Sequence, residues 1–269
     1  MSGICEILGV PFNNMSAVEA VEMAMVCLEG ESKGMLFTPN PEMVMLAQKD
    51  EEFMTILNSS TINVPDGIGI VYGSKFTSNP ISERVAGYDL VQAVFDRMKT
   101  SRKTVYFFGG APGVAQAAKE AMEKKHRGLN VVGVADGYFD EEKEKQIIAE
   151  INELRPDLLL VGIGFPKQEK WIYNNLDRLN VKLAIGVGGS FDVMSGNVKR
   201  APAIFIKLGL EWFHRLITQP SRFVRMLQLP VFMIEVIKAK LTPKKKKSVV
   251  KNPVKIKDVK LKIKKKGKK

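Results

Sequence analysis

The sequence predicts an α/β protein: a doubly wound, mainly parallel, Rossmann-like sheet with a C-terminal helical appendage and a disordered basic tail. Three observations predict it. Between residues 104 and 190, a short apolar run, a glycine turn and a helical stretch follow one another four times, the pattern of a parallel sheet covered by helices on both faces. After Val198 no further strand-like run occurs, and large apolar residues mix with Lys and Arg in two helical stretches, 201–217 and 220–240. From Lys244 to Lys269 there are 14 lysines against one acid, Asp258, a composition that does not build a core. The boundaries are therefore 1–198 for the α/β core, 199–243 for the appendage and 244–269 for the tail.

Each element has its own local signal. Ile4–Val10 reads as one short strand. Ser16-Ala-Val-Glu19 is a capping box opening a helix with Val18, Val21, Met25 and Leu28 on one face, ended by Gly30 and Gly34. Met35–Phe37 is a buried-type strand. Asn40 as N-cap and Pro41 as first helical residue then start a single helix through Met43, Leu46, Ala47, Met54 and Leu57. Strand Ile62–Val64 runs into Pro65-Asp66-Gly67, and a helix carrying Leu90, Val94 and Met98 follows Arg84. Strands at Thr104–Phe108, Leu129–Val134, Asp157–Val161 and Lys182–Val187 complete the sheet. Each of these last four ends in glycines: Gly109-Gly110, Gly137 before Tyr138, Gly162 with Gly164, and Gly188-Gly189 before Ser190.

Composition narrows the function classes. The 269 residues, 45% hydrophobic and 26% charged, suffice for one sizeable core. Two cysteines without framework spacing fit a reducing compartment, and two isolated histidines, His126 and His214, make a structural zinc site improbable. The N-terminus lacks a signal-peptide pattern and no window reaches the ~20 apolar residues of a membrane span, so a soluble or membrane-peripheral protein is expected. The net charge of +12 is unevenly placed: residues 1–198 carry −7, residues 199–243 carry +6 and the tail carries +13. A nucleic-acid enzyme spreads basic charge along its binding face, so nucleic acid is not the expected substrate.

The candidate chemistry lies at the strand ends. Asp66 sits between a proline and two glycines, where an open α/β sheet presents a carboxylate to its ligand; alone, it reads more readily as a turn residue capping the next helix. Backbone amides at four glycine turns along one sheet edge suit a nucleotide diphosphate. Gly110-Ala-Pro-Gly113 with Asp136 is half of a dinucleotide fingerprint whose first glycine is replaced by Phe108, which keeps an NAD-type oxidoreductase as an alternative. The Walker lysine pattern, the G-x-S-x-G elbow and D-x-D are all absent. A sugar nucleotide handled without D-x-D would have its diphosphate neutralised by amides, Arg or Lys, with no metal expected.

Six segments, TPNPE (Thr38–Glu42), VPDGIG (Val64–Gly69), ERVAGYDL (Glu83–Leu90), FFGGAPG (Phe107–Gly113), GFPKQEKW (Gly164–Trp171) and GVGGSFD (Gly186–Asp192), stand in one order and at close spacing. Together they resemble the WecG/TagA/CpsF family of bacterial glycosyltransferases, over about residues 1 to 240. The resemblance implies an inverting, metal-independent transfer of N-acetylmannosamine from its UDP donor to the 4-hydroxyl of GlcNAc on undecaprenyl diphosphate. That is an early step toward wall teichoic acid or a related surface polymer. Within the family, N-acetylmannosaminuronic acid or a hexose is an alternative donor sugar.

The resemblance makes Asp66 the catalytic carboxylate, with Thr38 beside it. It puts Asn40, Arg84 and Gln168 in the substrate pocket, to which the glycine turns add the strand-end positions Gly110, Tyr138, Gly164, Gly188, Gly189 and Ser190 as candidates. It also makes Arg215, Arg222 and Arg225 contacts for the lipid diphosphate. Arginine suits that ligand through its bidentate fork. The implied location is the cytoplasmic face of the cell membrane, with possible homo-oligomerisation. A lysine tail near anionic lipid adds on the order of 1 kcal/mol per residue to such docking. Arg84 has two open roles, holding a phosphate or pairing with Asp66, and the second would weaken the base.

Overall fold

The computed structural model describes residues 3–207, 211–218 and 228–242. The chain opens in an antiparallel hairpin, β1 (Ile4–Ile7) and β2 (Val10–Asn13), where one strand was expected. Leu8 (φ 49) and Gly9 (φ 81) both take the left-handed conformation that a two-residue hairpin turn requires. A leucine at such a position carries no turn signal, which is why the break is hidden in the sequence.

Helix α1 (Ala17–Glu29) begins with the expected capping box, Ser16 and Glu19 bonding each other's backbone N–H. Val18 departs from its expected buried face and is exposed, while Val21, Met25 and Leu28 are buried. Gly34 belongs to β3 (Gly34–Phe37) and not to the helix end. The single helix expected next is two: α2 (Pro41–Ala47), capped by Asn40, and α3 (Glu51–Ser59). Asp50 makes the break, because its Oδ1 accepts from Phe53 N–H at 2.9 Å and starts a new helix.

The chain continues through β4 (Ile62–Asn63), α4 (Ile68–Ser74), α5 (Gly87–Met98), β5 (Thr104–Gly109), α6 (Val114–Lys125), β6 (Asn130–Ala135), α7 (Glu141–Leu154), β7 (Leu158–Gly162), α8 (Lys167–Asn175), β8 (Leu183–Gly186) and α9 (Ser190–Met194). Strands β3 to β8 form one parallel sheet in the order β4-β3-β8-β7-β5-β6. Alternation along β5 shows how the sheet builds two cores. Val105 and Phe107 enter the layer under α1, α5 and α6, whereas Tyr106 and Phe108 enter the layer under α2, α3 and α8. Central β7 is buried at every position, as a strand covered on both faces must be.

The hairpin braces the strand that leads to Asp66. Buried Asn63 donates through Nδ2 to Pro11 O (2.9 Å) and Leu57 O (2.7 Å), and its N–H donates to Asn13 Oδ1 (2.8 Å). Beyond the sheet lie α10 (Ala203–Lys207), α11 (Glu211–Thr218) and α12 (Gln228–Leu241). Among its described residues the appendage has no strand, yet α12 is not adrift, since it packs on α2 and α4. Gly73 makes room for it: a Cβ there would stand 2.8 Å from the buried ring of Phe232. The expected tail, 244–269, lies outside the described residues.

Candidate active site

A cavity of about 580 Å³ opens over the C-terminal ends of β4, β3, β8 and β7, the edge where open α/β sheets take ligands. Asp66 stands on its wall because β4 ends at Asn63 and the following turn is locked. Val64 N–H donates to Phe37 O (2.9 Å) and Val85 N–H donates to Pro65 O (3.0 Å). Gly67, at φ 87, then turns the chain into α4 in a conformation that side chains resist. The capping alternative for Asp66 fails, because Gly67 occupies the N-cap of α4 with no side-chain cap bond.

The Asp66 carboxylate instead accepts from two amides, Gly67 N–H at 2.7 Å on Oδ1 and Gly87 N–H at 3.4 Å on Oδ2. Its side chain keeps 30% exposure, which faces the cavity it lines. Protein otherwise surrounds it, and this desolvation pushes its carboxyl above the ordinary carboxylate range. Arg84 opposes the shift, the negative charge of Glu211 adds to it, and the Gly87 and Gly67 amides oppose it. Arg84 lies between the two acids, with Nε 3.5 Å from Asp66 Oδ1 and Nη2 2.8 Å from Glu211 Oε2.

The other expected residues divide into two groups. Thr38, Asn40, Gln168, Gly164, Gly188, Gly189 and Ser190 all line the same cavity as Asp66 and Arg84. Thr38 abuts Gly87, where a Cβ would come within 3.1 Å of its hydroxyl. Asn40 spends Oδ1 on capping α2 through Met43 N–H (3.0 Å), so its amide nitrogen is the group it can offer a ligand. Gln168 is buried and works on the protein: its Oε1 accepts from Gly188 N–H (2.9 Å) and its Nε2 donates to Glu169 Oε1 (2.7 Å).

Gly110 and Tyr138 are not on the cavity wall. Gly110 N–H donates to Gly162 O (3.0 Å) and Gly110 O accepts from Gly137 N–H (2.8 Å), so that glycine turn serves strand packing; Tyr138 is 69% exposed. Arg215 falls on α11, and Arg222 and Arg225 lie outside the described residues.

Three contributors were missed. Glu211 lines the cavity from α11; its signal was being one of two acids, with Glu235, in the basic stretch 199–243. Arg200, also on the wall, grips Asp89 with both nitrogens (2.6 and 2.7 Å) and lies 4.8 Å from the Tyr88 ring centre, tying the start of the appendage to α5. Glu169 is 1% exposed, leaves Oε2 without a hydrogen bond, and has its carboxyl pushed up to about 7 by burial. In the charged run Lys167-Gln-Glu-Lys170 at a helix start, it reads as an ordinary first-turn acid.

Among the described residues, no group of three or more His, Cys, Asp or Glu could hold a metal ion. Asp136, which a dinucleotide ribose would need, is engaged by Lys143 Nζ on both oxygens (3.0 and 2.9 Å) and by Tyr138 N–H (2.9 Å).

Comparison with known proteins bears directly on this site. The model of the glycosyl transferase WecG/TagA/CpsF family matches residues 5–246. Three relatives carry the name N-acetylglucosaminyldiphosphoundecaprenol N-acetyl-beta-D-mannosaminyltransferase. One from Bacillus subtilis 168 is 38% identical over 75% of this chain and 78% of the relative. One from Bacillus spizizenii W23 is 35% identical over 85% and 90%. One from Staphylococcus aureus MRSA252 is 34% identical over 90% and 95%.

Proposed function

This chain belongs to the WecG/TagA/CpsF family and is a glycosyltransferase, and from that premise we propose that it moves N-acetylmannosamine from a UDP donor to GlcNAc-diphosphoundecaprenol. The acceptor group in this reading is the 4-hydroxyl, and the product is the inverted, β-1,4-linked disaccharide. The observation that carries the reading is Asp66: a carboxylate made more basic by burial, on the wall of a cavity otherwise rich in glycine amides.

In the proposed step Asp66 takes the proton of the acceptor hydroxyl as its oxygen bonds to C1 of the donor sugar. The bond from C1 to the β-phosphate oxygen breaks on the opposite face, and UDP leaves with the electron pair. The Gly189 amide, on the turn that Gln168 fixes through Gly188 N–H, and Lys167, exposed at the cavity edge, are suited to the departing diphosphate. With no D-x-D in the sequence, these groups take the place of a divalent ion in this reading. A donor panel with a short-chain lipid-diphosphate-GlcNAc acceptor tests it. UDP release is expected with UDP-N-acetylmannosamine and is expected to be unchanged in EDTA. Release only with another donor would reassign the sugar, and loss in EDTA would remove the metal-free mechanism.

The acceptor is a lipid, and we propose that the appendage and tail rest on the cytoplasmic membrane face. Among the described residues no helix is long and apolar enough to cross a membrane. What supports a surface position is the appendage itself: Val231, Ile234, Ile237 and Leu241 are exposed along α12 beside Lys238 and Lys240, and Phe213 and Ile217 are exposed one turn apart on α11. Cutting the chain after Pro243 should weaken its sedimentation with anionic vesicles at least tenfold and leave the apolar component of binding. Unchanged sedimentation would exclude the tail from docking.

A further inference from the structure

The site contains an acid to which the reaction as proposed gives no part. We infer that Glu211 is a positioning residue for the transfer: it holds the outer end of the Arg84 guanidinium, so that Arg84 does not close onto Asp66. This rests on the reading of Asp66 as the base.

The geometry is that of one cation divided between two acids. Arg84 Nη2 is 2.8 Å from Glu211 Oε2, whereas Arg84 Nε is 3.5 Å from Asp66 Oδ1 and makes no hydrogen bond. A guanidinium offered one carboxylate tends to take both oxygens in a fork. Arg200 does so in this protein, gripping Asp89 at 2.6 and 2.7 Å. At Asp66 that fork is missing, because the Nη2 end is turned to Glu211. The Glu211 side chain is only 12% exposed, so water screens the arrangement poorly.

Two consequences have the same sign. A forked Arg84 would hold Asp66 ionised at low pH and make it a poorer proton acceptor, and Glu211 prevents this by occupying the fork. The negative charge of Glu211 also acts on Asp66 directly, raising the cost of ionising it. Among the described residues, the other groups facing Asp66 are the Gly67 and Gly87 amides, and the remaining charged side chains on the cavity wall are Glu42, Lys167 and Arg200. Arg200 is already committed to Asp89.

The test is the pH dependence of kcat/KM in Glu211→Gln and Glu211→Asp with a water-soluble lipid-diphosphate-GlcNAc acceptor. Removing the charge leaves Arg84 with Asp66 as a partner, so the fold retains a paired cation. In Glu211→Gln the acidic limb should move down by about one pH unit or more, and turnover above it should fall several-fold. Glu211→Asp, which keeps the charge, should hold the limb near the wild-type position. If turnover in Glu211→Gln is too low to follow, carbon-13 NMR of the Asp66 carboxyl in the same variant reads the same shift.

A limb and carboxyl titration that stay in place overturn the inference. So does a lower donor KM with the limb unmoved, which would make Glu211 a stand-in for a phosphate at Arg84. Failure of the underlying reading looks different: Asp66→Asn would then turn over like the wild type, whatever Glu211 does.

Discussion

Replacing Asp66 by asparagine should lower kcat by about 10²- to 10⁴-fold, the range that general-base catalysis supplies, with UDP binding and fold close to wild type. The asparagine keeps an oxygen for the Gly67 N–H, which donates to Asp66 Oδ1 at 2.7 Å, so the turn into α4 survives. It removes a buried negative charge that burial already disfavours, so stability has little to lose. The pH profile of the wild type gives the second readout. Because burial raises the folded carboxyl above its ordinary value, turnover should begin to fail at a higher pH than for an exposed aspartate as the medium is acidified. Isothermal titration with UDP separates binding from chemistry. Near-normal kcat in the asparagine variant would return Asp66 to the role of a turn residue.

The place of Asp66 at a strand end was legible locally, its candidate role came from the family resemblance, and Glu211 had neither signal. Thr38, Asn40 and Asp66 lie at the ends of β3 and β4, adjacent parallel strands, and strand ends bounded by Pro and Gly can be read locally. The partnership of Arg84 with Glu211 spans 127 residues and joins the core to the appendage, so no local pattern announces it. The sheet was legible for a similar reason, since runs such as Leu158–Val161, bracketed by turns and too short for a helix, read as strands buried on both faces. The errors fell where one side chain decided the backbone. Asp50 cut an apolar helical run in two, and Leu8 entered a hairpin turn without any of the residues that mark one.

The glycine turns teach a related lesson. Four looked alike in sequence, but the first two fill different roles from the last two. Gly109, at φ 139, lies so close to the Gly162 backbone that a side chain there would collide with it, which makes it a packing glycine. Gly188 has open space where a side chain would be and borders the cavity. Only the position of the neighbouring strand separates the two cases. Sequence gives the permission to turn, and tertiary placement decides whether a ligand or another strand uses it.

Glu169 provides the largest expected effect on stability. Its carboxyl is pushed up to about 7 by burial, against an ordinary value of 4.5, with the Gln168 amide and its own backbone acting in the opposite direction. A folded value above the unfolded one means that the fold favours the protonated acid. The associated stability is fully present below about pH 4.5, is lost as pH rises toward 7, and stays lost above it. A shift of that size corresponds to roughly 3 kcal/mol. Glu169→Gln keeps an oxygen for the Gln168 Nε2–H bond, and with it the Gln168 hold on Gly188 N–H that shapes the cavity turn. The variant should therefore gain on the wild type between pH 5 and 7, reaching about 2–3 kcal/mol at pH 8 in urea unfolding. Glu169→Ala should show the same loss of pH dependence but with a higher donor KM, because Gln168 would no longer be held. A difference between wild type and Glu169→Gln that is the same at pH 5 and pH 8 would mean the acid is ionised in the fold, and the cavity turn would then be held by a buried charge instead of a neutral acid.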